Sequence, residues 1–317
     1  MATSFFTKII APFKKSSYIF YSPLLKKKAQ TVITSTMNEI LEKEQLSELV
    51  YRMKLHAPLI ARERKAGQFI IIQQDSQYSE RIPLTIMDAH PQEGSIEIIY
   101  QMVGASTRLF TQKKVGDYFE NVLGPLGTPT HIQKYQHGPV VCVAGGIGAA
   151  PLHPIAQALK AIGNKVIIII GARNKELILL EDKFRSFCDD VIICTDDGSA
   201  GEKAVVTAPL ERLCQESVAP AAVFTIGPPI MMKFCALTTK KYNVPTIASL
   251  NSIMIDGTGM CGCCRVMIDN KIQFACVDGP EFDAHAIDFD NLMLRQQSYK
   301  KQEEAHLCRL TNSLSTQ

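Results

Sequence analysis

Val140-Val-Cys-Val-Ala-Gly145-Gly146-Ile-Gly148-Ala-Ala-Pro151 decides the fold of the central part of this chain. The apolar residues Val140–Val143 read as a strand buried on both faces. The glycines after it let the backbone turn tightly and approach a pyrophosphate. The helical pattern of Pro151–Ala161 then offers unpaired N–H groups and the positive end of a helix dipole. A glycine turn of this kind also serves plain tight packing of strand on helix. Outward from it, apolar runs alternate with helical patterns: Lys165–Ile170, Leu177–Phe187, Val191–Cys194, Ala204–Cys214, Ala222–Ile226 and Ile247–Leu250. That alternation predicts a Rossmann-like parallel sheet over residues 136–250. The strand ends Thr195-Asp-Asp-Gly-Ser199 and Ile226-Gly227-Pro228-Pro229 would lie at the same carboxyl edge, where open sheets bind ligands.

Upstream, the pattern changes. Glu48–His56, Gln68–Gln73, Arg81–Asp88 and Ser95–Met102 are short segments punctuated by Gly, Pro, Asp and Gln. Closely spaced short strands predict a small antiparallel barrel over residues 37–135. Within it, Gly104-Ala-Ser106-Thr107-Arg-Leu109 starts a short helix with Ser106 as the expected N-cap. A helix start can hold a phosphate, and Arg81 could add a charge-assisted contact to the same group. A surface arginine and a capping serine are also common structural features.

Downstream, residues 251–295 break the alternation. Asp256-Gly-Thr-Gly-Met-Cys261-Gly-Cys263-Cys264-Arg265 is followed by Phe274-Ala-Cys276. Plant-type [2Fe–2S] sites use Cys-x4-Cys-x2-Cys with a distant fourth cysteine. Asp256, Cys261, Cys264 and Cys276 match that spacing, with Asp256 where the first cysteine belongs. A carboxylate is a harder ligand than a thiolate, yet it is anionic and can hold iron. Cys263 lies between expected ligands and is an alternative to Asp256. The competing reading is a structural zinc loop, which normally uses two separated Cys/His pairs that this loop lacks.

Composition sets the outer bounds. The chain has 317 residues, enough for two domains, with 46% hydrophobic and 21% charged residues. A net charge of +3 is too small to argue for nucleic acid. Residues 1–36 hold six lysines and no acid, so the +3 total less those six leaves −3 for the rest. This basic leader is expected to be a disordered tail, with organelle targeting or a start at Met37 as alternatives. No apolar run approaches the ~20 residues needed to span a bilayer. The polar stretch 296–317 reads as a fraying helix. His285 follows the cysteine segment and reads as structural.

These motifs together resemble the ferredoxin–NADP reductase superfamily. Arg81-Ile-Pro-Leu-Thr85, Ala144-Gly-Gly-Ile-Gly-Ala-Ala-Pro151, Asp256–Arg265 and Cys276-Val-Asp-Gly-Pro-Glu-Phe-Asp283 carry the resemblance over residues 38–295. It is greatest to the branch holding the small subunit of NADH-dependent ferredoxin–NADP oxidoreductase and the electron-transfer subunit of dihydroorotate dehydrogenase; a sulfide dehydrogenase subunit is similar. The resemblance implies an FAD-binding β-barrel, a parallel α/β domain for NAD(H) or NADP(H), and a C-terminal [2Fe–2S] segment over residues 251–295. It implies that Arg81, Pro83, Leu84 and Thr85 meet the flavin, and that Gly104, Ser106 and Thr107 hold its diphosphate. Gly145, Gly146, Gly148, Gly227 and Pro228 would face the nicotinamide nucleotide. Asp256, Cys261, Cys264 and Cys276 would ligate the cluster. Aspartate at the first ligand is expected for the ferredoxin–NADP type and cysteine for the orotate type.

The function these features imply is a cytoplasmic oxidoreductase subunit. It would pass electrons between NAD(P)H, FAD and the cluster, to or from a larger flavin- or iron–sulfur-containing subunit and, through that subunit, ferredoxin. The cofactors carry the chemistry, so no catalytic acid or base is assigned. The alternatives are the electron-transfer subunit of an NAD-dependent dihydroorotate dehydrogenase and a non-catalytic zinc-binding adaptor.

Overall fold

The computed structural model describes residues 37–75 and 79–314. The basic leader 1–36 lies outside the described residues. The first half contains β1 (Ile40–Ser47), β2 (Val50–His56), α1 (Pro58–Glu63), β3 (Phe69–Gln73), β4 (Arg81–His90), β5 (Ser95–Gln101), α2 (Ala105–Phe110) and β6 (Asn121–Leu126). These strands form an antiparallel sheet in the order β1-β2-β5-β4-β3-β6. The sheet curls round and closes where the Ile40 N–H donates to the Asp117 carbonyl and the Phe119 N–H to the Asn38 carbonyl, just ahead of β6. Ile70, Ile72, Ile86, Ile96, Ile98, Phe110 and Phe119 fill its interior. β1 does not read as a strand in the sequence, because Ile-Leu-Glu-Lys-Glu-Gln-Leu-Ser is mostly polar. It is held across the ladder by Arg52, which pairs with Glu42 at 2.8 Å and Glu44 at 3.0 Å.

The second half continues with β7 (Val140–Gly145), α3 (Ala149–Ala161), β8 (Val166–Ala172), α4 (Glu181–Arg185), β9 (Asp190–Thr195), β10 (Glu202–Lys203), α5 (Thr207–Gln215), β11 (Ala222–Ile226), α6 (Pro229–Lys240) and β12 (Thr246–Ser249). It ends with β13 (Arg265–Ile268), β14 (Lys271–Phe274), β15 (Glu281–Asp283), α7 (Phe289–Gln296) and α8 (Lys300–Leu314). The sheet order is β10-β9-β8-β7-β11-β12-β15. All neighbours are parallel except β12 and β15, so the sheet is mixed where the sequence predicts a purely parallel one. The antiparallel edge strand comes from the cysteine-rich segment. The helix expected over Leu177–Phe187 is confined to α4, because Leu180 adopts φ +60° at its start and Leu179 packs inward.

Alternation along the strands sorts the packing. Val141, Val143, Ile167 and Ile169 face α5 and α6. Cys142, Ala144, Ile168 and Ile170 face the other way and share one core with Val50, Met87 and Ile99 of the barrel. A third cluster joins Phe69 and Ile71 of β3 to Met232, Leu250, Cys264, Cys276 and Phe282. Barrel, sheet and cysteine-rich segment therefore share apolar cores rather than merely touching.

One carboxylate sits in the seam between them. Glu281 on β15 pairs across the ladder with Ser249 of β12. Its Oε1 accepts a hydrogen bond from Thr130 Oγ1 at 2.6 Å. Burial pushes its carboxyl up to about 7. A raised carboxyl favours the folded state at low pH, and that contribution disappears as pH rises from the unfolded value through the folded one. Glu281→Gln keeps the shape and removes the titration. We expect it to match the parent near pH 5 and to exceed it by on the order of 3 kcal/mol above pH 7, read from denaturant midpoints at each pH. Equal pH profiles for the two proteins would refute this.

Candidate nucleotide crevice, flavin strand and cysteine loop

Between β7 and β11 the strand order reverses direction, which opens a crevice beyond their carboxyl ends. The glycines expected there come together. A Cβ on Gly148 would overlap the Ile226 carbonyl, one on Gly145 would lie 2.9 Å from Pro228 Cδ, and one on Gly227 would lie 3.0 Å from Gly145 Cα. These three glycines and Pro228 are close-packed against each other. Gly146 differs: it has φ +53°, and a Cβ there would meet nothing within 4 Å. The two roles left open by the sequence are therefore divided. Gly145, Gly148 and Gly227 allow the turns to touch, and Gly146 presents bare backbone to open space at the start of α3. We expect Gly148→Ala to cost about 2–3 kcal/mol of stability through overpacking against backbone that cannot yield, measured by denaturant unfolding. A midpoint within error of the parent would contradict that packing.

The neighbouring strand ends are stitched to one another. The Lys175 N–H donates to Ser199 Oγ at 2.8 Å, and the Asp197 N–H donates to the Arg173 carbonyl at 3.2 Å. The loop 195–199 thus lies at the same edge as the β8 loop, as its sequence predicts.

On the barrel, β4 pairs with β3 from Arg81 to Thr85 but with β5 only from Ile86 onward. The Arg81–Thr85 half therefore has a strand on one side only. All five residues, including Pro83 and Leu84, are partly exposed, whereas Ile86 and Met87 are buried. This leaves an open ledge of backbone suited to a flat ligand. Next to it, the α2 start differs from the sequence expectation. Gly104 is the N-cap, and Thr107 Oγ1 accepts from the Gly104 N–H at 3.0 Å. Ser106 lies inside the helix and donates instead to the Glu80 carboxylate. Glu80 also contacts His306 Nδ1 of α8 at 3.0 Å. Arg81 Nε and Arg108 Nε are buried without hydrogen-bond partners. Buried guanidinium nitrogens normally find acceptors, so each of these arginines suits an anionic group. Arg108 was not among the residues expected to bind. Nothing in the sequence separates it from a surface arginine.

The cysteine loop leans on this ledge. Arg81 Nη2 lies 3.5 Å from the Asp256 carbonyl, and a Cβ on Gly257 would meet Ile71 and Leu126 at 2.9 Å. Gly257, Gly259 and Gly262 all have positive φ, between +68° and +86°. The tight loop they allow gathers the expected ligands in two pairs. Cys264 Sγ and Cys276 Sγ are 3.1 Å apart and buried. Asp256 and Cys261 lie outside that pair, within electrostatic reach of each other, and Cys261 is also paired with Cys263. Asp256 Oδ2 accepts from the Thr258 N–H at 3.0 Å and the Met260 N–H at 3.1 Å. The Thr258 hydroxyl and these N–H groups hold the Asp256 carboxyl below its ordinary range. The Cys263 backbone holds the Cys261 thiol low, while burial pushes Cys276 up to about 12. The Cys263 thiol lies within hydrogen-bonding reach of the Cys261 thiol, and its carbonyl accepts from Arg295 of α7 at 3.2 Å. Among the described residues, no three His, Cys, Asp or Glu side chains gather closely enough to hold a single metal ion. Two anionic pairs fit a two-metal group, each pair on one metal, better than one tetrahedral centre. His285 bonds to Thr239 Oγ1 at 3.0 Å within a buried threonine network, a structural role as its sequence suggests.

Comparison with known proteins follows the same division. Residues 251–288 match the iron–sulfur cluster binding domain of dihydroorotate dehydrogenase B. Over 270 residues the chain is 44% identical to a dihydroorotate dehydrogenase B (NAD(+)) electron transfer subunit homolog from Thermotoga maritima, covering 85% of this chain and 94% of that protein. It is 34% identical over 238 residues to the electron transfer subunit of that enzyme from Desulforamulus reducens, covering 73% of this chain and 90% of that protein. A solved chain from the structure of NADH-dependent reduced ferredoxin–NADP oxidoreductase superposes with TM-score 0.82 at 42% identity, covering 87% of this chain and 99% of that one. The cytochrome P450 reductase GcoB from Amycolatopsis shares the fold at TM-score 0.53 and 21% identity, covering 64% of this chain and 65% of that one.

Proposed function

This chain belongs to the family of dihydroorotate dehydrogenase B electron-transfer subunits, and we propose that it relays electrons from a nicotinamide nucleotide through FAD and a [2Fe–2S] cluster to a larger partner subunit. It is an oxidoreductase subunit of the ferredoxin-reductase type. One observation carries the wiring: the cysteine loop adjoins the β4 ledge, with Arg81 Nη2 3.5 Å from the Asp256 carbonyl. When bound, a flavin exchanges hydride for single electrons, and an iron–sulfur cluster carries those electrons one at a time.

The residues have separable tasks. Pro83, Leu84 and Thr85 support the flavin ring on the open ledge, while Arg81 and Arg108 neutralise its diphosphate beside Gly104, Ser106 and Thr107. Glu80 holds the Ser106 hydroxyl and must yield, or turn toward His306, for a phosphate oxygen to use it. Gly146 offers backbone N–H to the nicotinamide nucleotide, in a turn shaped by Gly145, Gly148, Gly227 and Pro228. Asp256, Cys261, Cys264 and Cys276 would hold the cluster, with Asp256 Oδ2 already engaged by the loop N–H groups. The unit divides near residues 135 and 250 into flavin, nucleotide and cluster segments, the last contributing β15 to the nucleotide sheet. No described helix is long and apolar enough to cross a membrane. A cytoplasmic location is part of the proposal, since reduced cysteines persist there.

An anaerobic visible titration with NADH, repeated with NADPH, tests this reading. The expected result is bleaching of overlapping flavin and iron–sulfur absorbance, with the better reductant naming the nucleotide. A colourless protein would sink it. The partner proposed is a larger flavin- and iron–sulfur-containing subunit that reacts with ferredoxin, because Asp256 stands at the first ligand position. The names of several relatives favour a second reading, electron transfer between dihydroorotate and NAD. Co-purification with a dihydroorotate dehydrogenase would select it.

A further inference from the structure

Glu281 is joined to both electron-carrying positions by one strap of chain. From Cys276 the strap runs five residues, at most ~18 Å when extended, to Glu281. It is sewn to the barrel along its length. Thr128 Oγ1 donates to the Val277 carbonyl at 2.9 Å, the Thr128 N–H donates to the Gly279 carbonyl at 2.7 Å, and Thr130 Oγ1 donates to Glu281 at 2.6 Å. On its other side Glu281 touches the start of β3. A Cβ on Gly67 would lie 2.9 Å from Glu281 Oε1, and Phe69, two residues on, pairs with Thr85 of the flavin strand.

Among the described residues no lysine, arginine or histidine pairs with Glu281. Lys65 and His131, beside Gly67 and Thr130 in sequence, are exposed. From β7 the ionisable neighbour is Cys142, a thiol that burial keeps neutral. On its own strand Asp283 is exposed and accepts from the His285 N–H. On the strap Asp278 accepts from the Phe274 N–H. A partly buried carboxyl without an ion-pair partner responds to negative charge added nearby.

We propose that Glu281 is the redox-linked proton acceptor of this chain: its carboxylate takes one proton from solvent when an electron arrives beside it and releases that proton when the electron leaves. The inference rests on the electron-relay reading above. The electron comes from the nicotinamide hydride, the proton comes from water, and the O–H bond formed on Glu281 breaks on reoxidation, so charge in the seam is conserved over the cycle. Glu281 is a positioning residue in this scheme, acting through the charge it presents.

The test uses the full chain carrying its flavin and iron–sulfur centre, as parent and as Glu281→Gln. The midpoint potential of the iron–sulfur centre is titrated from mildly acidic to alkaline pH, with redox-induced infrared difference spectra at neutral pH. The expected parent potential falls as pH rises through neutrality, and its infrared spectrum gains a protonated-carboxyl band on reduction. Both features are expected to be absent from Glu281→Gln. Coloured proteins with identical potential–pH profiles, or an unchanged carboxyl band in the variant, overturn this inference alone. A colourless parent overturns the relay itself. A merely structural Glu281 would alter stability without moving either readout.

Discussion

Cys264→Ala is expected to abolish the iron–sulfur absorbance and to lower electron delivery to a one-electron acceptor by at least about 100-fold, with flavin bleaching by reduced nicotinamide retained. The physical reason lies in the buried pair. Cys264 Sγ is 3.1 Å from Cys276 Sγ, and both thiols belong to the apolar cluster that also contains Leu250, Met254 and Phe282. Removing one thiolate leaves an open metal position lined by apolar residues, with the Cys263 thiol within electrostatic reach as the competing donor. The loss of a strong anionic ligand is worth well over the ~2.7 kcal/mol that a hundredfold effect requires. Cys263→Ala is the control. Its carbonyl, not its thiol, is engaged by Arg295, and the variant is expected to keep the cluster and full electron delivery. Retained iron–sulfur absorbance in Cys264→Ala, or its loss in Cys263→Ala, would replace the ligand set Asp256, Cys261, Cys264 and Cys276 by one containing Cys263.

Arg81→Ala is expected to weaken FAD retention by roughly 30- to 150-fold, the equivalent of about 2–3 kcal/mol for a charge-assisted contact in a shielded site. The same variant should leave the stability of the flavin-free protein nearly unchanged. In the structure Arg81 Nε has no partner, and the Nη2 contact with the Asp256 carbonyl is long at 3.5 Å. The side chain therefore contributes little to the fold and is positioned for a ligand. Arg81→Lys is expected to restore only part of the affinity, because an ammonium cannot reproduce a planar fork of donors. Equilibrium dialysis of FAD against the three proteins, with thermal unfolding of each, separates the outcomes. If Arg81→Ala binds FAD like the parent, the diphosphate lies elsewhere. A large loss of stability without FAD would make Arg81 a structural residue.

How much of this was legible in the sequence varied with the range of the interaction. The strand at 222–226 and the glycine turn after β7 were read with close bounds, because buried parallel strands are continuous apolar runs and the turn needs glycine locally. The cysteine spacing likewise announced its own loop, since a cluster site is built from near neighbours in the chain plus Cys276. By contrast β1 was hidden, because an exposed edge strand needs only the cross-strand partners that Arg52 supplies. Gly104 rather than Ser106 caps α2, with Thr107 Oγ1 accepting its N–H, and the Ser106 hydroxyl goes to Glu80 just ahead of β4, a contact no local pattern shows.

The sequence by itself determined the order of the segments, the period of each strand and helix, and the donor atoms available to a nucleotide and a cluster, all of which depend on residues near each other in the chain. Only the tertiary structure decided that β15 returns from the cysteine segment to edge the parallel sheet, that Gly146 rather than Gly148 faces open space, and that Glu281 lies partly buried against Thr130 at the seam. Each of these depends on surfaces brought together from distant parts of the chain, where burial and contact are set by packing rather than by local pattern.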